Sequence, residues 1–200
     1  MRIPKEQIQK TRAQQETDIV QCLKVLSAGG LILYPTDTVW GIGCDATNAE
    51  AVKRVYQLKQ RDDSKALIVL IDSAEHLDHY VVDVPMIAQE LIDVAVKPLT
   101  IIYEGAYNLA PNVLGDEDSV GIRVPNDEFC HQLCERFGKP IVSTSANVSG
   151  EPTARTFADI SPAITQGVDY VVQYRQQDTS LHQPSNIILL SRDGTFKIIR

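Results

Sequence analysis

The chain has 200 residues, 44% hydrophobic and 22% charged, which suits one globular domain with a sizeable core. Its 19 basic and 26 acidic side chains leave a net charge of −7, so the surface as a whole repels a polyanion such as RNA, and any nucleic-acid role needs a local basic patch. No run of about 18 apolar residues occurs and Met1-Arg2-Ile3-Pro4-Lys5 opens into a polar stretch, which speaks against a membrane span or signal-peptide core and predicts a cytoplasmic protein.

Residues 16–28 put Ile19, Leu23 and Leu26 on one helical face, and Gly29-Gly30 supply a C-terminal stop. Leu31-Ile32-Leu33-Tyr34 reads as a buried strand halted by Pro35, and a helix follows over 49–58 with Val52 and Val55 inward. Four apolar runs, at 66–71, 99–103, 120–124 and 141–142, predict further strands. Helical spacing falls between them at 73–79, 85–94 and 127–137, and residues 187–190 and 196–199 flank Arg192-Asp193-Gly194 as a terminal hairpin. The expected fold is α/β: a single domain spanning 1–200, with one twisted sheet of mixed parallel and antiparallel strands and flanking helices. Residues 149–161 and 173–184 read as long surface loops, where substrate contacts often lie.

Cys22, Cys44, Cys130 and Cys134 are too few and too unevenly spaced for a disulfide framework and are expected as reduced thiols. Cys130, His131 and Cys134 share one predicted helix, but a second ligand pair at zinc spacing is missing, so core filling is favoured over a metal site.

The segment Tyr34 to Gly43 joins a strand to a loop carrying hydroxyls, a carboxylate and glycines. It either clasps a polar ligand or is a turn whose Asp37 and threonines bond local backbone. Lys59, Arg61 and Lys65 gather three cations within seven residues, enough to hold a triphosphate; the plainer reading is solvated cations at a helix C-terminus. Ser143 to Gly150 follows directly on a strand and packs hydroxyls and an amide into a strand-end loop, where open α/β sheets place ligands; clustered hydroxyls also make ordinary turns, and ligand binding is favoured over that reading. Arg123 sits between apolar neighbours in a predicted strand, suited either to anchoring a carboxylate or to pairing with a surface acid. No Walker loop, dinucleotide fingerprint, nucleophile elbow or His-Glu-x-x-His motif is present, so electrostatic positioning is favoured over covalent catalysis.

Taken together and in this order, residues 34–43, the Lys59-x-Arg61 pair, residues 120–125, residues 140–152 with Ser145-Ala146-Asn147, and the closing 185–200 resemble the YrdC-like family of threonylcarbamoyl-adenylate synthases. The resemblance implies a twisted α/β fold around a concave basic cavity. It also implies a reaction of L-threonine, bicarbonate and ATP, accompanied by Mg²⁺, that gives threonylcarbamoyl-adenylate and pyrophosphate, the first step towards a modified adenosine in tRNA. A tRNA and a downstream threonylcarbamoyl-transferase complex are the further partners it suggests. Carried over position by position, ATP contacts fall on Arg61, Lys65, Ser119, Ser145, Thr153 and Arg200, with Lys59, Arg61, Ser145 and Asn147 as the motif pairs of the catalytic set. Threonine contacts fall on Thr38, Ser143, Arg123 and Ser185.

The chain departs from the family pattern at Trp40, where tyrosine is usual, at Asp62 and Ala66 in place of prolines, and at 96–100, which lacks a Pro-Gly. Leu70 replaces a histidine and Asn186 a threonine, both near the implied amino-acid pocket. Two rival readings follow: a non-catalytic RNA-binding module of the same fold, and a related ATP-dependent enzyme acting on another amino acid or a carbamoyl compound. The first is disfavoured by the acidic total and the lack of aromatics interleaved with basic residues.

Overall fold

The computed structural model describes residues 5–61 and 67–200, and the expected phosphate contact Lys65 lies outside them. In chain order the elements are α1 (Lys5–Ser27), β1 (Ile32–Tyr34), β2 (Gly41–Gly43), α2 (Ala49–Lys59), β3 (Ile68–Leu70), α3 (Ile87–Asp93), β4 (Leu99–Tyr103), β5 (Val120–Arg123), α4 (Glu128–Phe137), β6 (Ile141–Val142), β7 (Thr144–Ser145), α5 (Pro162–Thr165), β8 (Tyr170–Val171), β9 (Asn186–Leu190) and β10 (Phe196–Ile198).

Local chemistry sets the helix ends. Asn48 caps α2 by accepting from the amides of Glu50 at 3.1 Å and Ala51 at 3.2 Å, and Asp127 caps α4 by accepting from the Cys130 amide at 3.0 Å. Gly138, at φ +67°, ends α4 in the left-handed region, where a Cβ is costly. The helix expected over 16–28 starts about three turns earlier, because polar residues ahead of the apolar face continue the same spiral on the exposed side. Ile19, Cys22 and Leu26 bring that helix onto the core, each fully buried Ile or Leu contributing roughly 2 kcal/mol. Residues 74–79, expected as helix, form a 3₁₀ segment capped by Ser73, and α3 covers only the middle of 85–94.

The mixed strand pairing is present, but it is divided between two sheets instead of lying in one. The smaller runs β7-β2-β1-β8 and the larger β10-β9-β4-β5-β3-β6, each with parallel and antiparallel neighbours. The division occurs at Ser143, where the chain leaves β6 in the larger sheet and enters β7 in the smaller one. The two sheets come close at Gly43, where a Cβ would stand 2.7 Å from a ring carbon of Tyr34 and 3.0 Å from the Val142 carbonyl, so only glycine fits. Strands of two to five residues bury too little alone, and the buried apolar side chains of both sheets and of α1, α2 and α4 join in one core. All four cysteines are free and buried within that core, where desolvation raises their thiol pKa values. Among the described residues no helix is long and apolar enough to cross a membrane.

Candidate active site

A recess of about 360 Å³ opens on one face of the larger sheet, and its floor follows from strand alternation. Ile68 of β3, Gly121 and Arg123 of β5, Thr100 and Ile102 of β4 and Ile187 of β9 all point to that face and line the cavity. The walls come from elsewhere: Thr38, Val39 and Gly41 before and at β2, Ser143 to Ser145 at the sheet crossing, Arg61 after α2, then Ser119, Thr153, Ser185 and Arg200. Among the described residues its lining holds three arginines and no Asp or Glu side chain, in a chain whose total charge is −7. A hollow lined by one sign of charge on low-dielectric walls concentrates anions.

Of the residues singled out from sequence, Thr38, Arg61, Ser119, Arg123, Ser143, Ser145, Thr153, Ser185 and Arg200 meet in this one recess. Lys59 and Asn147 stand behind its wall. Lys59 is 2% exposed, not the solvated helix-end cation the plainer sequence reading expects. Its Nζ donates to the carbonyls of Ser145 and Asn147, the latter at 2.7 Å, and the Ser149 amide donates to the Lys59 carbonyl at 2.8 Å. Burial first, and then the charge of Arg61, bring the Lys59 pKa down to about 8. Asn147 uses its Nδ2 to hold the carbonyls of Val148 at 3.0 Å and Glu151 at 2.8 Å, which fixes the turn leading to Thr153.

Arg123 is 4% exposed and already engaged: its NH1 donates to the Asp37 carboxylate and, at 3.2 Å, to Thr38 Oγ1. Its Nε is buried without a partner. Asp37 also accepts from the Asn126 amide at 3.3 Å and is itself outside the cavity lining, so it braces the arginine from behind. Thr36 Oγ1 accepts from the Thr38 amide at 3.0 Å, pairs with Thr38 Oγ1 at 2.8 Å and reaches the Val39 carbonyl at 2.8 Å. In the 34–43 segment Thr36 closes a local turn that leaves Thr38 in the cavity lining, while Asp37 bonds Arg123 and the Asn126 amide and not the adjacent backbone.

Ser185 is held twice. Its hydroxyl pairs with Thr100 Oγ1 at 2.8 Å, and its carbonyl accepts from Arg200 Nε at 3.2 Å and NH2 at 3.1 Å. The loop before it is pinned by buried Asp18 of α1, which accepts from the Gln173 and Tyr174 amides at 3.1 and 2.8 Å and from the Tyr170 hydroxyl at 2.6 Å. Only the end of the 173–184 loop, at Pro184, reaches the recess; Arg175, Asp178, Ser180 and His182 front a separate small cleft that shares Thr38 and Val39.

Leu70 lies on the floor side of β3, two residues beyond Ile68, yet is fully buried and outside the cavity lining. Sequence reasoning did not assign Asp37, Thr100 or Gly121 to the site. Thr100 left a readable trace, a lone hydroxyl inside the otherwise apolar run 99–102. Asp37 was noticed only as a loop carboxylate, and nothing local predicts its partner 86 residues away.

A two-sheet α/β fold with a hydroxyl- and arginine-lined recess at the sheet crossing defines a class of nucleotide- and anion-handling proteins rather than a unique activity. Sequence comparison narrows it: the Sua5–YciO–YrdC family profile, described as telomere recombination, matches residues 24–200, and the chain belongs to this family. Curated relatives named threonylcarbamoyl-AMP synthase include one from Pseudoalteromonas translucida, 35% identical over 160 residues and covering 78% of this chain and 86% of the relative. Another, from Vibrio campbellii, is 35% identical over 171 residues and covers 84% and 91%. Among solved structures, P. abyssi Sua5 complexed with L-threonine superposes with a TM-score of 0.81 at 25% identity, covering 93% of this chain; the chain spans about half of that protein, 54%. E. coli YciO shares the fold, with a TM-score of 0.79 at 24% identity and coverage of 93% and 89%.

Proposed function

We propose that this chain, working as a single cytoplasmic domain, forms L-threonylcarbamoyl-adenylate and pyrophosphate from L-threonine, bicarbonate and ATP, and so supplies the N6-threonylcarbamoyladenosine modification of tRNA. One observation carries the reading: cations and hydroxyls scattered from Thr38 to Arg200 converge on one recess, in a chain whose relatives are named threonylcarbamoyl-AMP synthase. That P. abyssi Sua5 was solved with L-threonine adds support for the amino-acid substrate.

The amino group of threonine and bicarbonate give a carbamate with loss of water. A carbamate oxygen then attacks the α-phosphorus of ATP, the bond to the bridging oxygen breaks, and pyrophosphate leaves with the electron pair. Arg61, Arg200, Ser119, Ser145 and Thr153 line the polar wall and hold the phosphates, offsetting charge on the departing group. Lys65 belongs with them by resemblance. Arg123 takes the amino-acid carboxylate, with Thr38, Ser143 and Ser185 around it. Lys59 and Asn147 act by shaping the Ser145 loop rather than by touching substrate.

Mg²⁺ would arrive on the phosphates. Among the described residues the cavity lining offers hydroxyls and no carboxylate, and no group of three or more His, Cys, Asp or Glu could hold a metal; this suits an ion that keeps waters and substrate oxygens. Bound there, it would neutralise phosphate charge. The tRNA and a threonylcarbamoyl-transferase complex act downstream, on the adenylate.

The test is pyrophosphate release from ATP with single omissions. Release is expected only when threonine and bicarbonate are both present, and release indifferent to threonine rejects the reading. Tight, salt-sensitive tRNA binding without nucleotide affinity would favour an RNA-binding module instead.

A further inference from the structure

Thr100 has no assigned part in the site, yet its side chain is placed as if both of its branches were used. It is 0% exposed, on β4, and belongs to the sheet face that floors the recess. Its hydroxyl lies 2.8 Å from the hydroxyl of Ser185, 85 residues away. Its methyl borders the bare floor at Gly121, where an added Cβ would stand 3.2 Å from Thr100 Cγ2.

A β-branched residue in a strand has few χ1 options, and here each alternative would turn the hydroxyl away from Ser185 or the methyl away from the floor. Serine alone would leave the rotamer freer, and valine would fill the same space without the hydroxyl. Ser185 is itself fixed through its carbonyl by Arg200, so only its hydroxyl remains to be aimed. Two hydroxyls in series polarise one another: with Thr100 donating, Ser185 is the better donor to an acceptor in the recess.

We propose that Thr100 is a positioning residue that orients the Ser185 hydroxyl, and sets its proton direction, towards the carboxylate or hydroxyl of the amino-acid substrate. This rests on the proposed reading of Ser185 as an amino-acid contact. A merely structural Thr100 would affect ATP and threonine alike, whereas an aiming role affects threonine alone.

The experiment measures KM for threonine and for ATP separately in Thr100→Val, Thr100→Ser, Ser185→Ala and the Val/Ala double variant. Losing one well-aimed hydrogen bond predicts roughly a tenfold rise in threonine KM for Thr100→Val, with the ATP KM within about twofold of the parent. Thr100→Ser keeps the hydroxyl and should recover to within about threefold; the double variant should be no worse than Ser185→Ala alone. Thr100→Ala, which removes the hydroxyl without filling the space, is read alongside, and the same split is expected in whichever variant folds. Pyrophosphate release that needs no threonine in the parent overturns the proposed reaction. In a threonine-dependent enzyme, an unchanged threonine KM, equal rises in both KM values, or additive losses in the double variant overturn the role of Thr100 alone.

Discussion

The residues proposed for the two substrates are held differently in the recess. Thr38, Arg123, Ser143 and Ser185, the residues assigned to the amino acid, are all buried, and Thr38, Arg123 and Ser185 are bonded to one another or to a dedicated holder before any ligand arrives. Arg61, Ser119, Ser145 and Thr153, assigned to the phosphates, are half-buried, and Arg200 is exposed. A small zwitterion is discriminated by a few hydrogen bonds, which pay off only when their donors are preorganised. A triphosphate carries so much charge that half-buried and exposed cations suffice to capture it.

That contrast is most easily broken among the tightly held residues. Arg123→Ala is expected to abolish threonine-dependent turnover and also to cost about 3–5 kcal/mol of unfolding free energy, because Asp37 is left buried without its cation. Urea unfolding checks the second part; unchanged stability would mean the pair does not brace the site.

Among the residues proposed for the phosphates, Arg61→Ala should raise KM for ATP by about tenfold or more, as loss of a charge-assisted phosphate contact does, while leaving the threonine KM near its parent value. Steady-state kinetics at two salt concentrations checks it, with the parent's ATP KM more salt-sensitive than the variant's.

Lys59 sits outside the lining, on the Ser145 and Asn147 carbonyls. Replacing it with Met removes a donor from the carbonyls of Ser145 and Asn147 and is expected to cost roughly 1–3 kcal/mol, read by urea unfolding, with kcat falling more than threonine affinity. The smallest effect is in pH. With the Lys59 pKa at about 8 in the fold and near 10.5 unfolded, the native state binds fewer protons between those values. The Lys59 contribution to stability therefore rises with pH across that window, having been at its lowest below pH 8. Activity that depends on the charged form should fall above about pH 8 in the parent and persist higher in Lys59→Arg. A basic limb unmoved by that substitution assigns it to another group.

Much of this organisation is legible in the sequence, where it is local. The helix 49–58, the runs at 99–103 and 120–124 and the hairpin around Gly194 follow from periodicity and turn chemistry within a dozen residues. What escapes is set by distant partners. Lys59 looks like a solvated helix-end cation until Ser145 and Asn147 are brought over it, and the lone hydroxyl of Thr100 in its apolar run has no visible partner until Ser185 arrives from 85 residues away. The split into two sheets escapes as well, because it turns on a single residue, Ser143, between two strands of two residues each. Convergence of the site residues was expected from family resemblance, not from spacing, since no local pattern relates Arg61 to Arg123 or Thr153.

Leu70 makes substrate choice the point on which the account is most exposed. Its buried side chain supplies no polar contact, so under the proposed reading amino-acid selection would rest on Thr38, Ser143 and Ser185 around Arg123. The most direct measurement is pyrophosphate release from ATP and bicarbonate across a panel of amino acids that includes threonine, serine, valine and allo-threonine. The account predicts the highest kcat/KM for L-threonine, with valine, which matches its size but lacks the hydroxyl, far behind. A valine rate equal to that of threonine, or a different amino acid preferred outright, would contradict it.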